Sequence, residues 1–275
     1  MDKKPLSLKE LQQIELEILK VFHDFCSKND LKYFLAGGTL IGAIRHKGFI
    51  PWDDDIDIMM PRTDYNKFLA LVKDGKLDEY RNIDNLHIRK NALTAILRIY
   101  DNRTDLTFSN YRIKKTFGCW IDIFPLDGLS DSTVKRKFQF KIARILKDLI
   151  VINDTKFGGK RRNKLASILQ YLLLPVLPIV YSIGHERLIK WMDKWATKYS
   201  YDKAKYVGVI EGRAGIKEVM LKEDMKPVLV NYEDAEFYAM SNYDEYLTNL
   251  YGDYMTPPKN PISRHQIDVF WKNNN

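Results

Sequence analysis

The chain has 275 residues, of which 45% are hydrophobic and 29% charged, so it has enough apolar material for a sizeable core and intrinsic disorder is excluded. The formal charge of +8 is concentrated between residues 133 and 164, a segment with eleven basic and two acidic residues. The rest of the chain has nearly equal numbers of basic and acidic residues. A protein that coats nucleic acid would be basic nearly everywhere, so we expect no nucleic-acid partner. Cys26 and Cys119 make no CxxC pattern, which argues against a zinc knuckle or a disulfide framework.

The N-terminal part predicts a helix followed by a buried strand. No apolar leader precedes it, so we expect the catalytic part to stay in the cytoplasm. Ser7 and Glu10 form a capping box, and apolar residues at every third or fourth position predict a helix over residues 8–28. Residues 33–36 then predict a short strand that ends at the pair Gly37 and Gly38.

Helices and strands alternate in the next hundred residues. Residues 40–44 predict a short helix, residues 55–60 a strand, and residues 64–72 another helix. Further strands are predicted at residues 88–89, 95–100 and 119–124, and residues 125–128 are expected to end this part of the chain. This order indicates the α/β (α+β) class.

From residue 131 the character of the chain changes. A helix is predicted there whose basic residues occupy one face and whose apolar residues form the other: Val134, Phe138, Ile142, Ile145 and Leu149. Residues 165–184 then contain no charge over twenty positions, which is the length of a membrane span, although Pro175 and Pro178 interrupt the run. A last helix is expected around residues 243–250, ended by Gly252.

The uncharged run is open to three interpretations: a transmembrane helix, a buried helical hairpin, or a segment at the membrane interface. The interfacial interpretation is favoured because clustered cations precede the run, and these attract anionic lipid. They are Lys160, Arg161, Arg162 and Lys164.

Four aspartates lie within five positions, at Asp53, Asp54, Asp55 and Asp57. On a strand, the three odd-numbered acids would share one face, and such crowding needs a neutralising cation. Carboxylate oxygens suit Mg²⁺ or Mn²⁺. A turn role would explain Asp53 or Asp54 but not the whole group. Asp122, between two isoleucines on a predicted strand, supplies another inward acid.

The glycine pair and Thr39 stand between a predicted strand and a predicted helix, where backbone N–H groups can approach a phosphate. Taken alone, Gly37, Gly38 and Thr39 also suit an ordinary turn. Their position ahead of the acids makes the combination specific.

One pattern resembles the nucleotidyltransferase superfamily of the polymerase-β type. It consists of a glycine pair, then alternating aspartates, then one aspartate between apolar residues. The longer strings at residues 37–57, 120–127 and 251–258, with His265, are similar to the LicD family. The resemblance implies a nucleotidyltransferase-like mixed sheet flanked by helices. It divides the chain into a catalytic core (1–130), a helical basic and apolar insertion (131–206) and a C-terminal segment that packs back on the core (207–275).

The resemblance also implies an activity. A phosphorylated group would pass from a CDP-activated donor to a sugar hydroxyl, with CMP leaving. In LicD proteins the group is typically phosphocholine from CDP-choline, and the acceptor is a cell-surface glycopolymer such as teichoic acid or lipopolysaccharide. Fukutin-type relatives move ribitol phosphate, so another phospho-alditol or a nucleotidyl group is an alternative. A non-catalytic, membrane-associated metal- or lipid-binding component is the third hypothesis.

By the same resemblance, Asp55, Asp57 and Asp122 would be catalytic and would hold one or two Mg²⁺ (or Mn²⁺) ions, with Asp53 beside them and Asp122 also acting as the base. The expected contacts to substrate are Gly37, Gly38, Thr39, Arg45, Lys47, Arg264 and His265. His46 is expected to be structural. Trp52 and Trp120 suit either a choline headgroup or the core. The expected partners are the CDP-linked donor, a lipid-linked glycan acceptor and the anionic inner face of the cell membrane.

Overall fold

The computed structural model describes residues 5–72, 74–88, 92, 96–108, 112, 115–156, 175, 177–259 and 269–272. The expectations for Arg264 and His265 lie outside these ranges, as do those for residues 157–174.

The first helix, α1 (Leu8–Lys28), begins and ends where the sequence predicts. The Glu10 amide donates to Ser7 Oγ at 3.3 Å, and Glu10 Oε2 accepts from the Ser7 amide at 2.8 Å, which confirms the capping box. Ile18 and Phe22 of its apolar stripe are fully buried. The helix thereby covers one face of the central sheet.

Six further helices follow along the described chain. They are α2 (Gly37–Ile41), extended by a wider helical turn over Gly42–His46, α3 (Arg62–Leu71), α4 (Thr133–Asp154), α5 (Leu177–Ile183), α6 (His185–Ala196) and α7 (Tyr243–Tyr251). The strands are β1 (Phe34–Leu35), β2 (Asp57–Pro61), β3 (Arg81–Asp84), β4 (Leu97–Asp101), β5 (Thr104–Phe108), β6 (Lys115–Phe117), β7 (Trp120–Leu129), β8 (Tyr206–Gly208), β9 (Met220–Leu221), β10 (Pro227–Tyr232), β11 (Ala235–Met240) and β12 (Phe270–Trp271).

A mixed sheet of seven strands forms the centre of the fold. Its order is β1-β2-β7-β4-β3, and β8 and β9 continue from the far part of β7. Strands β2 and β7 are parallel, and the other pairs in this sheet are antiparallel. Two smaller sheets, β10-β11 and β12-β5-β6, lie beside it. The mixed sheet with flanking helices confirms the predicted fold class.

Three local predictions were wrong. Strand β2 begins at Asp57 rather than at Asp55, because Pro51 opens a turn in which the Asp53 amide donates to the Ile50 carbonyl at 2.9 Å. Ile88 lies in a turn and not in a strand, with its amide on the Asn85 carbonyl. Strand β7 continues through residue 125 to Leu129, because its far part pairs with β8.

Polar contacts set the orientation of α4. Its buried side carries Arg136, Gln139, Phe140 and Ala143. The Arg136 guanidinium donates to the Ser130 carbonyl at 3.0 Å, and Gln139 Oε1 accepts from the Ser130 amide at 3.0 Å. These hydrogen bonds fix the inner side, so Val134, Phe138 and Ile145 of the predicted apolar face are exposed, whereas Ile142 and Leu149 are half-buried.

Among the described residues, no helix combines the length and the apolar composition that crossing a bilayer requires.

Candidate metal and phosphate site

Asp57 and Asp122 lie side by side on the two parallel strands of the central sheet. They are register partners in the β2-β7 pair, and the Asp122 amide donates to the Ile56 carbonyl at 2.9 Å. Ile121 and Ile123 are fully buried on the opposite face, whereas Asp122 is partly exposed. The alternation of the strands thus places both carboxylates on one face.

The glycine pair allows these acids to lie against the backbone of α2. A methyl group at Gly38 would lie 2.6 Å from Asp53 Oδ2. Gly37 has φ +50°, and a methyl group there would contact Asp57 Oδ2 and the Tyr251 hydroxyl, each at 3.4 Å. Glycine at position 38 therefore allows the close approach of the Asp53 carboxylate, and glycine at position 37 is favoured by its backbone angle.

Thr39 positions the first residue of β2. Its Oγ1 accepts from the Asp57 amide at 2.8 Å, and the Ala36 amide donates to the Asp57 carbonyl at 3.0 Å. The Gly37 amide meets the Tyr246 hydroxyl at 3.4 Å. The segment predicted to bind phosphate is thus also the support of Asp57.

The remaining acids form a loop and not a strand face. Carboxylate oxygens of Asp53, Asp54 and Asp55 lie within 4.8 Å of one another, and all three residues are partly exposed. Gln12 of α1 donates to the Asp53 carbonyl at 2.8 Å and so fixes the loop. Asp54 was not among the predicted ligands, yet it belongs to this group.

Negative charge accumulates around the loop. Loss of hydration raises the pKa of Asp57 well above its usual value, and the charges of Asp55, Asp122 and Asp53 raise it further. Burial likewise raises the pKa of Glu15, which lies in α1 and faces the same acids. A positive ion would relieve this repulsion.

Arg98 of β4 provides one positive charge, and no motif in the sequence pointed to it. Its Nε donates to Asp122 Oδ1 at 2.6 Å, and its guanidinium carbon lies 4.7 Å from the centroid of the Trp120 ring. Only the antiparallel pairing of β4 with β7 brings Arg98 opposite Asp122. The ring face of Trp120 is thus in contact with an arginine.

The basic residues after α2 occupy different positions. Arg45 donates through Nη1 to the Tyr254 carbonyl at 2.5 Å and through Nε to His46, so it joins this turn to the C-terminal segment. Lys47 is exposed with φ +61°, and its carbonyl accepts from the Glu233 amide at 2.7 Å. The pKa of His46 is lowered by burial and by Arg45, which agrees with a structural role.

The acid group fits a hard divalent cation. Asp53, Asp54 and Asp55 each offer a carboxylate oxygen within 4.8 Å of the other two, and oxygen ligands of this kind suit Mg²⁺ or Mn²⁺. Asp57 and Asp122, which were predicted as ligands with Asp55, lie outside this close group. The geometry around Gly37 and Thr39 adds backbone donors at the edge of the same acids.

This arrangement of paired strands, glycine turn and acids is typical of a nucleotidyltransferase domain, and residues 30–147 match the family model described as LicD/FKTN/FKRP, nucleotidyltransferase domain. The lipopolysaccharide cholinephosphotransferase LicD of Haemophilus influenzae is 32% identical over 269 residues, which cover 96% of this chain and 97% of that protein. The chain belongs to the LicD family. This confirms the family that the motifs predicted and its class of enzyme, a LicD-like phosphotransferase.

Shorter similarities extend to two uncharacterized proteins. The one from Rickettsia typhi is 40% identical over 80 residues, which cover 29% of this chain and 24% of that protein. The one from Rickettsia prowazekii is 48% identical over 56 residues, which cover 20% of this chain and 18% of that protein.

Proposed function

We propose that the protein transfers phosphocholine from CDP-choline to a sugar hydroxyl of a lipid-linked glycan precursor, of the teichoic acid or lipopolysaccharide type, and releases CMP. The observation that carries this proposal is the similarity to the Haemophilus cholinephosphotransferase over nearly the whole of both chains. The grouped acids at Asp53, Asp54 and Asp55 support it, because transfer from a diphosphate needs a site for a divalent cation.

In this proposal Asp55 and Asp57 hold the cation with Asp122, while Asp53 and Asp54 complete the acidic surroundings. Mg²⁺ or Mn²⁺, when bound, neutralises the donor diphosphate and stabilises the leaving CMP. Asp122 accepts the proton of the sugar hydroxyl as the hydroxyl attacks phosphorus. Arg98 orients Asp122 through its 2.6 Å hydrogen bond.

The donor phosphates lie, in this proposal, at the backbone of Gly37, Gly38 and Thr39, with Arg45 and Lys47 adding positive charge. Arg264 and His265 stay predictions for the same substrate. A choline headgroup needs an aromatic face, and the face of Trp120 already carries the Arg98 guanidinium. Trp52, which meets the His46 ring at 6.3 Å, is therefore the better candidate of the two tryptophans.

The acceptor side of the proposal is a lipid-linked glycan handled at the inner face of the cell membrane, with the enzyme in peripheral contact with anionic lipid. The second candidate function is transfer of ribitol phosphate or another group from a CDP-activated donor. The specific observation in its favour is that the matched family model also covers fukutin-type proteins.

A panel of donors tests the proposal. The purified protein is incubated with Mg²⁺, a hexosamine-containing acceptor and CDP-choline, CDP-ribitol or CDP-glycerol, and CMP release is measured. CDP-choline should turn over fastest, and Asp57→Ala should abolish turnover. A preference for CDP-ribitol or CDP-glycerol would replace phosphocholine by that group, and no turnover of any donor would overturn the enzymatic proposal.

A further inference from the structure

An exposed apolar surface runs along the outer side of α4 and onto α6. The exposed fraction is 78% for Val134, 54% for Phe138, 47% for Ile145 and 48% for Trp191. With Trp195 these residues form what we call the α4–α6 surface. Large apolar side chains grouped at this exposure mark a place where another apolar phase makes contact.

The surface is continuous across the two helices. The ring centroids of Phe138 and Trp195 are 6.1 Å apart in an edge-on arrangement. The Trp195 indole N–H donates to the Gln139 carbonyl at 3.0 Å and so fixes the ring against α4. A shallow groove beside it is lined by Leu146, Trp191, Lys194, Trp195 and Lys198.

Positive charge surrounds this surface. Lys137, Lys141, Lys194 and Lys198 are exposed on the two helices and the turn after α6, and the Lys198 ammonium lies 4.7 Å from the centroid of the Trp195 ring. The acid on the outer side of α4, Asp148, lies 3.4 Å from Arg144. Aromatic and aliphatic side chains bordered by lysines are typical of segments that lie at the surface of an anionic membrane.

Rotating α4 so as to bury its exposed apolar residues would break hydrogen bonds, because the inner side of the helix makes polar contacts. Arg136 donates to the carbonyls of Ser130 and Asp131, and Lys147 Nζ donates to the Glu211 carbonyl at 2.6 Å. These contacts hold the outward orientation of Phe138 and Ile145.

We propose that the α4–α6 surface docks on an anionic lipid membrane, with its apolar side chains among the lipid headgroups and its lysines on the lipid phosphates. The purpose of this contact rests on the proposed function, since it brings the enzyme to a lipid-linked acceptor. Leu129 at the end of β7 packs with Phe140 of α4 and Met192 of α6, and it lies seven residues from Asp122, roughly 23 Å along a strand. The docking surface is thus distinct from the acid site.

Vesicle sedimentation tests this proposal with the full chain. The vesicles contain phosphatidylglycerol and phosphatidylcholine, or phosphatidylcholine alone. Binding should require phosphatidylglycerol and weaken with salt. The double variant Lys141→Glu/Lys194→Glu should bind at least about thirtyfold more weakly, and Phe138→Ser/Trp191→Ser about tenfold more weakly.

Matched controls lie elsewhere on the surface. Leu229→Ser removes an apolar side chain that is as exposed as Phe138, and Lys203→Glu/Lys226→Glu reverses two exposed charges. These variants should bind as the wild type does. All variants should unfold at the wild-type temperature and, with a soluble acceptor, release CMP from CDP-choline at the wild-type rate, so failure of docking is distinguishable from failure of the proposed function.

The proposal is overturned if the wild type does not bind the anionic vesicles, or if the surface variants bind as well as their controls. It is also overturned if gel filtration shows a dimer that the Phe138→Ser/Trp191→Ser variant dissociates, because a second copy would then cover the surface.

Discussion

Strand β7 carries one carboxylate near each end, and the two have opposite surroundings. Asp127 is fully buried and accepts two hydrogen bonds from Arg62, from Nε at 2.6 Å and from Nη2 at 3.0 Å. Asp122, five residues earlier, faces Asp57, and the charged neighbours that shift the pKa of Asp57 are all acidic. The protein thus supplies the counter-charge at one end and concentrates negative charge at the other.

This difference separates a structural cluster from a binding site. Arg62 also donates to Asp193 at 2.9 Å and lies 3.7 Å from Glu211, so one guanidinium serves three acids in the interior. At the other end, Arg98 donates to Asp122 at 2.6 Å, and carboxylate oxygens of Asp53, Asp54 and Asp55 lie within 4.8 Å of one another. Acids that the fold brings together at a cost to stability are expected to bind a cation from solution.

The largest expected effect comes from Asp57→Asn. We expect the rate of CMP release from CDP-choline to fall about a thousandfold, because the cation loses a ligand at the floor of the site. The midpoint of thermal unfolding should stay or rise, since one of several crowded negative charges is removed. Asp148→Asn on the outer side of α4 is the matched control, and equal activity of the two variants would contradict the assignment.

At the Asp127 end, Arg62→Gln should act on stability instead. It leaves Asp127 and Glu211 buried with their main counter-charge removed, and loss of one partner of a buried ion pair costs about 3 to 5 kcal/mol. Urea unfolding measures the change. Lys67→Gln, on the exposed side of the same helix, should change stability by less than about 0.5 kcal/mol. Similar losses in the two variants would refute a structural role for Arg62.

The pH dependence of stability gives a third effect. Burial raises the pKa of Glu211 to about 7 from the ordinary value of 4.5, although Arg62 acts in the opposite direction. Because the folded-state pKa is the higher one, the contribution of Glu211 to stability is present below pH 4.5 and is lost as the pH rises through about 7.

The free energy of unfolding should therefore fall less between pH 5 and pH 7 in Glu211→Gln than in the wild type, by an amount on the order of 2 to 3 kcal/mol. Some slope should persist, because burial also raises the pKa of Glu218 to about 7. Urea unfolding at a series of pH values checks this, with Glu186→Gln as the exposed control. Parallel curves for Glu211→Gln and wild type would count against the shift.

The smallest expected effect comes from Arg98→Gln. Removing one positive charge beside the acids should strengthen Mn²⁺ binding severalfold, whereas turnover should fall about tenfold because Asp122 loses the group that orients it. Arg98→Lys should recover part of the turnover. If Arg98→Gln bound Mn²⁺ more weakly than the wild type does, the result would indicate that Arg98 only supports the fold.

Much of the acid site was predictable because its signals are local. The capping box of α1, the glycine pair and the alternation around Asp122 depend on spacings of a few residues. The shape of the Asp53 to Asp55 segment was not predictable from alternation, because the turn at Pro51 precedes it.

Contacts between distant parts of the chain left no such signal. Arg98 is 24 residues from Asp122, and Arg62 is 65 residues from Asp127. The inner side of α4 escaped prediction for a different reason. Arg136 and Gln139 occupy the buried side because each hydrogen-bonds to nearby backbone, which apolar spacing alone does not indicate.

The contrast between the ends of β7 is tested most directly by calorimetric titration of Mn²⁺ in the presence of CMP. Wild type, Asp57→Asn and Glu211→Gln are compared. We expect saturable binding by wild type and by Glu211→Gln, and at least about tenfold weaker binding by Asp57→Asn. Equal binding by all three proteins, or binding by none, would contradict a cation site at Asp57.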